Sequence, residues 1–318
     1  MKTLKDFLDK YQIDYTESLD QKNFGSVYRG VEKDTQKEFA IKSTETHPNF
    51  DNGLYEERYE KAKLLTHSNL LVYKCFSRFE EKMVYNMAIM PLLEMRSLDN
   101  YLDLTIEEKK LIVHQILDAI YYLHEQNIVW QNLSEKHILL EKNLGNLIPK
   151  IINYGNSRKI ALPFFADYEY LAPEQFDEHL LPDLRSDIWA FGVLIYKLWT
   201  GRLPFGEKSA SLPNSKIKER ILGDWEPGLY DQIAEPYQKI VKKCIRRKKE
   251  DRWNNCGEII AVIKNWQDSR VNITDEPLSE RPETKRKFLR KPNNPVNWAK
   301  VLLLFFLAAL LGYFINQL

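Results

Sequence analysis

The pattern of apolar and polar positions changes character along the chain. Residues 15–45 and 70–93 carry short apolar and β-branched runs, and FGSVYRG and KEFAIKS alternate on either side of a polar DTQK turn, which predicts paired strands. Between these regions GLYEERYEKAKLLTH is charged and reads as a helix. Beyond Glu94 the period becomes helical. LTIEEKKLIVHQILDAIYYLHEQ opens with Thr105 and Glu108 spaced as a capping box, then places Leu111, Ile112, Ile116, Ala119, Ile120 and Leu123 at helical intervals. SDIWAFGVLIYKLWTG is apolar nearly all round and predicts a buried helix that Gly201 ends. YDQIAEPYQKIVKKCIRRKKEDRWNN and CGEIIAVIKNWQ continue the helical pattern. A strand-rich part followed by a larger helical part predicts an α+β fold of two unequal lobes, about 1–92 and 93–267.

From Asp268 the pattern gives way to charge and proline, which predicts a flexible linker over 268–297. The chain then closes on WAKVLLLFFLAALLGYFINQL, in which Val301 to Ile315 is a run of fifteen uncharged, mostly apolar residues. With its flanks, residues 298–318 reach the roughly 20 residues that cross a bilayer as a helix. Lys285, Arg286, Lys287, Arg290 and Lys291 all precede it, so the positive-inside rule keeps the N-terminal domain cytoplasmic on a single-pass tail anchor. The same five cations, in KRKFLRK, are placed to meet anionic lipid.

Charge and cysteine content change this picture little. Forty-six basic residues against 45 acidic ones give no global argument for nucleic acid as a partner. Cys75, Cys244 and Cys256 are too scattered for a metal knuckle and too few for a disulfide framework. The N-terminus, MKTLKDFLDKYQIDY, has no apolar core of a cleaved signal peptide.

Five separated segments, taken in order over residues 14–267, resemble the protein kinase superfamily of Ser/Thr-kinase type. LDQKNFGSVYRG is similar to the glycine-rich loop but keeps only Gly25 of its three glycines, with Asp20 and Lys22 at the other two. FAIK places Lys42 where the family lysine contacts phosphates. Counting back from HSNLL, the position of its partner glutamate holds Arg58, with Glu57 and Glu60 on either side. AIMPLLEMRSLDNYL resembles the hinge between lobes, with Met90 as gatekeeper and Pro91 to Glu94 as the connector. IVWQNLSEKHILL resembles the catalytic loop with its flanking strands, and KIINYGNS the metal-binding motif that follows.

The resemblance implies a nucleotide pocket built from Gly25, Val27, Ala40, Lys42, Met90, Leu92 and Leu139. It also implies that the chemistry is missing. Trp130, Gln131 and Asn132 replace the family His, Arg and catalytic Asp, while His137 and Asn153 replace the two metal ligands. An amide is a far poorer base than a carboxylate, and magnesium prefers hard anionic oxygen. No metal site is therefore expected, ATP is the candidate ligand, and magnesium is not expected to accompany it. Trp130 and His137 are expected to fill space, giving an occluded or metal-free pocket. Scaffold positions are kept: Glu174 of A-P-E, Asp187 of SDIWAFG, and Arg252 of DRW as the family partner of Glu174. Ser157 is the sole Ser or Thr between Asn153 and Glu174, which predicts no switching by loop phosphorylation. The expectation is a membrane-anchored cytoplasmic pseudokinase that acts as a binding or signalling scaffold for protein partners. The competing expectation is an atypical, active Ser/Thr kinase that uses ATP.

Overall fold

The structure, a computed structural model, describes residues 3–22, 25–46, 54–92, 95–154, 167–177, 179–180 and 182–274. An antiparallel sheet forms the N-terminal lobe from β1 (Tyr11–Lys22), β2 (Gly25–Glu32), β3 (Lys37–Thr46), β4 (Cys75–Glu80) and β5 (Val84–Pro91), in the order β1-β2-β3-β5-β4. The two-residue period of a strand sorts its side chains between two faces. Phe39 and Ile41 of β3 join Met87 and Ile89 of β5 in one cluster, whereas Ala40, Ala88 and Met90 belong to the main core. Register pairs Ala40 with Met90 and Lys42 with both Val27 and Ala88, so the second face carries the lysine.

The first face is covered by a helix that the apolar pattern did not announce, α1 (Leu4–Lys10). Its Phe7 is fully buried, with ring centroids 4.9 Å from Tyr11 and 5.6 Å from Phe79. The local signal lay in the cap. Thr3 Oγ1 accepts from the Asp6 N–H at 3.0 Å, and Asp6 Oδ2 accepts from the Thr3 N–H at 3.0 Å. The charged stretch before HSNLL forms α2 (Leu54–Ala62) as its pattern predicts.

The second lobe is helical. In α3 (Ile106–Glu125) both halves of the Thr105–Glu108 capping box are present, and Ile112, Ile116, Ile120 and Leu123 are fully buried. The apolar helix α4 (Leu184–Thr200) runs through the core and ends on Gly201 at φ +70°, the left-handed cap its sequence predicts. After it come α5 (Asn214–Leu222), α6 (Tyr237–Cys244), which packs against α4, and α7 (Cys256–Thr274). Gly192 permits close approach of α4 to α6, since a Cβ there would collide with Cys244. A small sheet of β6 (Met95–Ser97), β7 (Ile138–Asn143) and β8 (Asn146–Ile151) lies near the junction of the lobes.

Two helical expectations are corrected. The stretch from Tyr230 is not one helix: a single turn at Tyr230–Gln232 stops before Pro236, α6 runs from Tyr237, and another single turn follows at Lys249–Asp251. Proline has no N–H to continue the ladder. At the other end, α7 continues through Thr274, so the segment expected to be flexible from Asp268 is helical at its start. No proline or glycine interrupts the chain between Gly257 and Pro277, and a polar composition alone does not end a helix. The remainder of the expected linker, with Lys285 to Lys291, and the expected membrane segment 298–318 lie outside the described residues. Among the described residues no helix is long and apolar enough to cross a membrane.

Candidate functional site

Where the lobes meet there is a cleft of about 550 Å³. All seven residues expected to form a nucleotide pocket line it: Gly25, Val27, Ala40, Lys42, Met90, Leu92 and Leu139. Its volume lies within the roughly 300–1,000 Å³ of small-molecule sites, and its walls combine apolar side chains with polar ones such as Lys42, Arg96, Asp99 and Asn153. His137 and Asn153 line it as well, and Asn132 does not. Trp130 does not line the cleft but is fully buried in the main core, which corrects the expectation that its indole fills the pocket, whereas His137 does stand at the cleft wall.

The strand register explains how the walls form. Val27 and Lys42 are opposed across β2 and β3, and Ala40 and Met90 across β3 and β5. Gly25 begins β2 at φ +102°, and a Cβ there would collide with the carbonyl oxygen of Ser43. The approach of two strands therefore requires this glycine independently of any phosphate.

Lys42 is buried and donates from Nζ to Asn153 Oδ1 at 2.8 Å, joining β3 to the segment after β8. Of the two acidic candidates for pairing with Lys42, Glu60 is engaged in an exposed ion pair with Lys63, just past the end of α2. The side chain of Glu57 lies outside the described residues. Asn153 takes φ +57°, a left-handed conformation that asparagine tolerates better than most residues. Next to it Tyr154 is buried and donates to the Leu71 carbonyl at 2.9 Å.

The loop from Ile128 to Leu140 has a strand on one side only. Its end joins β7, whereas Ile128 to Trp130 adopt no regular structure, a correction to the strands expected on both sides. What holds this side is Asp187 of α4, which accepts the N–H groups of Trp130 and Gln131 at 2.7 Å each. His124 Nε2 stands 2.9 Å from the same carboxylate. Further along, His137 Nδ1 donates to the Asn132 carbonyl at 2.7 Å, which fixes a proton on that nitrogen. Among the described residues the one carboxylate lining the cleft is Asp99.

Two groups escaped the sequence reading. Arg96, following the connector, also lines the cleft, in a strand too short to show a period. Asp167 lies beside the loop and accepts from Lys136 Nζ at 2.6 Å. It shares a small void with Asn132. Burial pushes its pKa up, but hydrogen bonds from Lys136 and Ser134 outweigh that and hold it below the usual value. Only the fold brings Asp167 here.

Below the loop, Arg252 and Glu174 form a two-pronged ion pair, with NH1 and NH2 each 2.8 Å from a carboxylate oxygen. Both are buried, and Ser186 Oγ donates to Glu174 at 2.7 Å.

A strand-rich lobe, a helical lobe and a cleft with a buried lysine between them define a protein-kinase-like fold. Residues 15–263 match the protein kinase domain family, and the chain belongs to it. The chain is 26% identical over 255 residues to smooth-muscle myosin light chain kinase of Gallus gallus, covering 77% of itself and 13% of that protein. It is 29% identical over 242 residues to calcium-dependent protein kinase 4 of Plasmodium berghei (strain Anka), covering 71% of itself and 43% of the relative. The chain thus spans less than half the length of these curated relatives. A crystal structure of Rad53 1-466 in complex with AMP-PNP superposes with a TM-score of 0.63 at 24% identity, covering 79% of this chain and 64% of that one. That likeness is one of fold.

Proposed function

We propose that this kinase-fold domain is a pseudokinase: a binding or signalling scaffold whose cleft takes a nucleotide without magnesium-dependent phosphotransfer. The observation that carries the reading is the bond from Lys42 to Asn153. The amide oxygen at the family's principal metal position is already committed to an ammonium, and the second metal position, His137, offers imidazole whose Nδ1 is committed to Asn132. Magnesium demands hard oxygen donors, usually carboxylates, and this donor set does not fit it. The apolar walls from Val27, Ala40, Met90 and Leu139, with Lys42 among them, do fit a nucleotide base and its phosphates. The domain is held at the cytoplasmic face of a membrane by residues 298–318, and Lys285 to Lys291 add attraction to anionic lipid.

Thermal shift of the full chain tests the cleft. ATP is expected to raise Tm equally with and without Mg²⁺ or Mn²⁺, and Lys42→Ala to abolish the rise. A phosphotransfer assay tests the rest: incorporation above background that Lys42→Ala removes would overturn the reading.

Asp167 favours a second reading, an atypical kinase. It returns a carboxylate to the locus of Asn132, although one whose proton affinity is lowered by Lys136. General-base catalysis contributes about 10²- to 10⁴-fold. On this reading the full chain with Mn²⁺ transfers phosphate slowly, and Asp167→Asn lowers the rate by at least tenfold without lowering Tm.

A further inference from the structure

A second cavity, of about 360 Å³, lies in the helical lobe away from the cleft. It borders a segment with six cations, Lys242, Lys243, Arg246, Arg247, Lys248 and Lys249. Three of these have internal work. Lys243 lies 4.0 Å from the ring centre of Trp253, and Lys249 pairs with Asp183 at 3.1 Å. Arg247 donates to the carbonyls of Ile221, Arg220 and Trp225, and faces Glu226 at 3.4 Å.

The other three are left for a partner. Among the described residues Lys242 bonds only to the neutral Gln238 and lies 5.2 Å from the Tyr230 ring centre. Arg246 and Lys248 are exposed, and among the described residues neither side chain makes a hydrogen bond or ion pair. All three line the cavity, as do Phe205 and Tyr230, while Glu226 and Asp251 are its carboxylates. Burial and the nearby Glu226 raise the Tyr230 hydroxyl to about 12, so it remains a neutral hydrogen-bond donor.

Two exposed apolar side chains lie on the segment that Arg247 holds. Trp225 is 42% exposed and Leu222 46%, and Arg247 holds the backbone on both sides through Ile221 and Trp225. Arg220 stacks 4.1 Å from the indole centre. An exposed tryptophan held by two arginines, next in sequence to the cavity-lining Glu226, has the composition of a binding hot spot.

We propose that this face docks an acidic protein segment carrying an apolar anchor. Its carboxylates meet Lys242, Arg246 and Lys248, and its apolar side chain lies on Trp225 and Leu222. A peptide suits the site better than a membrane, because a discrete cavity accepts a side chain and its walls mix Glu226 and Asp251 with the cations rather than presenting a uniformly basic face. The proposal gives the binding-module reading a partner chemistry and rests on it.

The test is fluorescence anisotropy of a short labelled peptide of glutamate and leucine with the full chain in detergent. The wild type is expected to bind it and to ignore its glutamine counterpart. Arg246→Glu with Lys248→Glu is expected to weaken binding by about tenfold or more, and Trp225→Ala several-fold, with Tm unchanged. If the charge reversal lowers Tm, Arg246→Gln with Lys248→Gln replaces it, with an intermediate loss expected. Equal binding by the glutamine peptide, or affinity unchanged by the paired substitutions, would overturn the proposal, since another basic patch would then be responsible. Phosphatidylserine vesicles that bind through Arg246 and Lys248 where the peptide does not would assign the face to lipid and also overturn it. Anisotropy reads binding alone, so phosphotransfer by the protein would sink the scaffold reading without altering this result.

Discussion

At the scale of single residues, the buried pair of Glu174 and Arg252 shows what this chain keeps. Arg252 also donates to the Arg246, Arg185 and Arg247 carbonyls, so its charge is spread over five acceptors. Removing one member of a buried ion pair strands the other charge and costs about 3–5 kcal/mol. Arg252→Leu should destabilise the domain by that amount in urea titration. Burial pushes the Glu174 carboxyl up, but the hydrogen bond and charge of Arg252, with help from Ser186, hold it below the usual value. A carboxylate depressed in the folded state contributes stability that is full at neutral pH and is lost as pH falls through its folded pKa. The midpoint should therefore drop on acidification below the usual carboxylate range. Glu174→Gln should start lower at neutral pH and show a flatter acid limb. The pair is legible in sequence because A-P-E and D-R-W sit at familiar places. The bond of Lys42 to Asn153 is not, since 111 positions separate partners that each depart from or stand within a different motif.

At the scale of elements, legibility followed the period. Long helices with a regular apolar face, α3 and α4, and alternating strands, β2 and β3, are visible because many residues repeat one message. Short elements carry too few repeats: α1 has seven residues and β6 three. Yet α1 matters, because β3 and β5 are buried on both faces and their outer face would otherwise leave Phe39, Ile41, Met87 and Ile89 open to water. Phe7 is the anchor of this cover. Phe7→Ala should cost about 3–5 kcal/mol, the range for truncating a fully buried phenylalanine. Chemical denaturation would register it, and protease cleavage near the N-terminus should accelerate with it. An unchanged midpoint would mean that α1 is not docked on the sheet. The same element logic explains Trp130. The loop position was readable, but that the indole is buried in the core rather than at the cleft wall depends on tertiary packing, which no local pattern carries.

At the scale of the whole molecule, the kept and changed positions divide by what they touch. Asp187, Glu174, Arg252 and Tyr154 face backbone or core, and the structure uses each in a buried bond. On the proposed reading Asn132, His137 and Asn153 replace a base and metal ligands, and here the Asn153 amide oxygen, the His137 ring and the Asn132 backbone carbonyl bond within the protein. If the scaffold is otherwise intact, restoring all three should create metal-dependent nucleotide binding. Asn132→Asp alone should change nothing measurable, because the base has no role without a positioned phosphate. Asn153→Asp alone should strengthen the link to Lys42, turning a neutral acceptor into a charged one, and should raise Tm without a response to metal. With His137→Asn and Asn132→Asp added, Mg²⁺ should increase the ATP-induced rise in Tm, since oxygen donors then replace imidazole at the second position. Failure of the triple variant to respond to Mg²⁺, with ATP alone still stabilising it, would place the defect elsewhere. Asp20 and Lys22, at two glycine positions of the resemblance, and Arg58, at that of the lysine's glutamate partner, are the substitutions such a variant leaves in place.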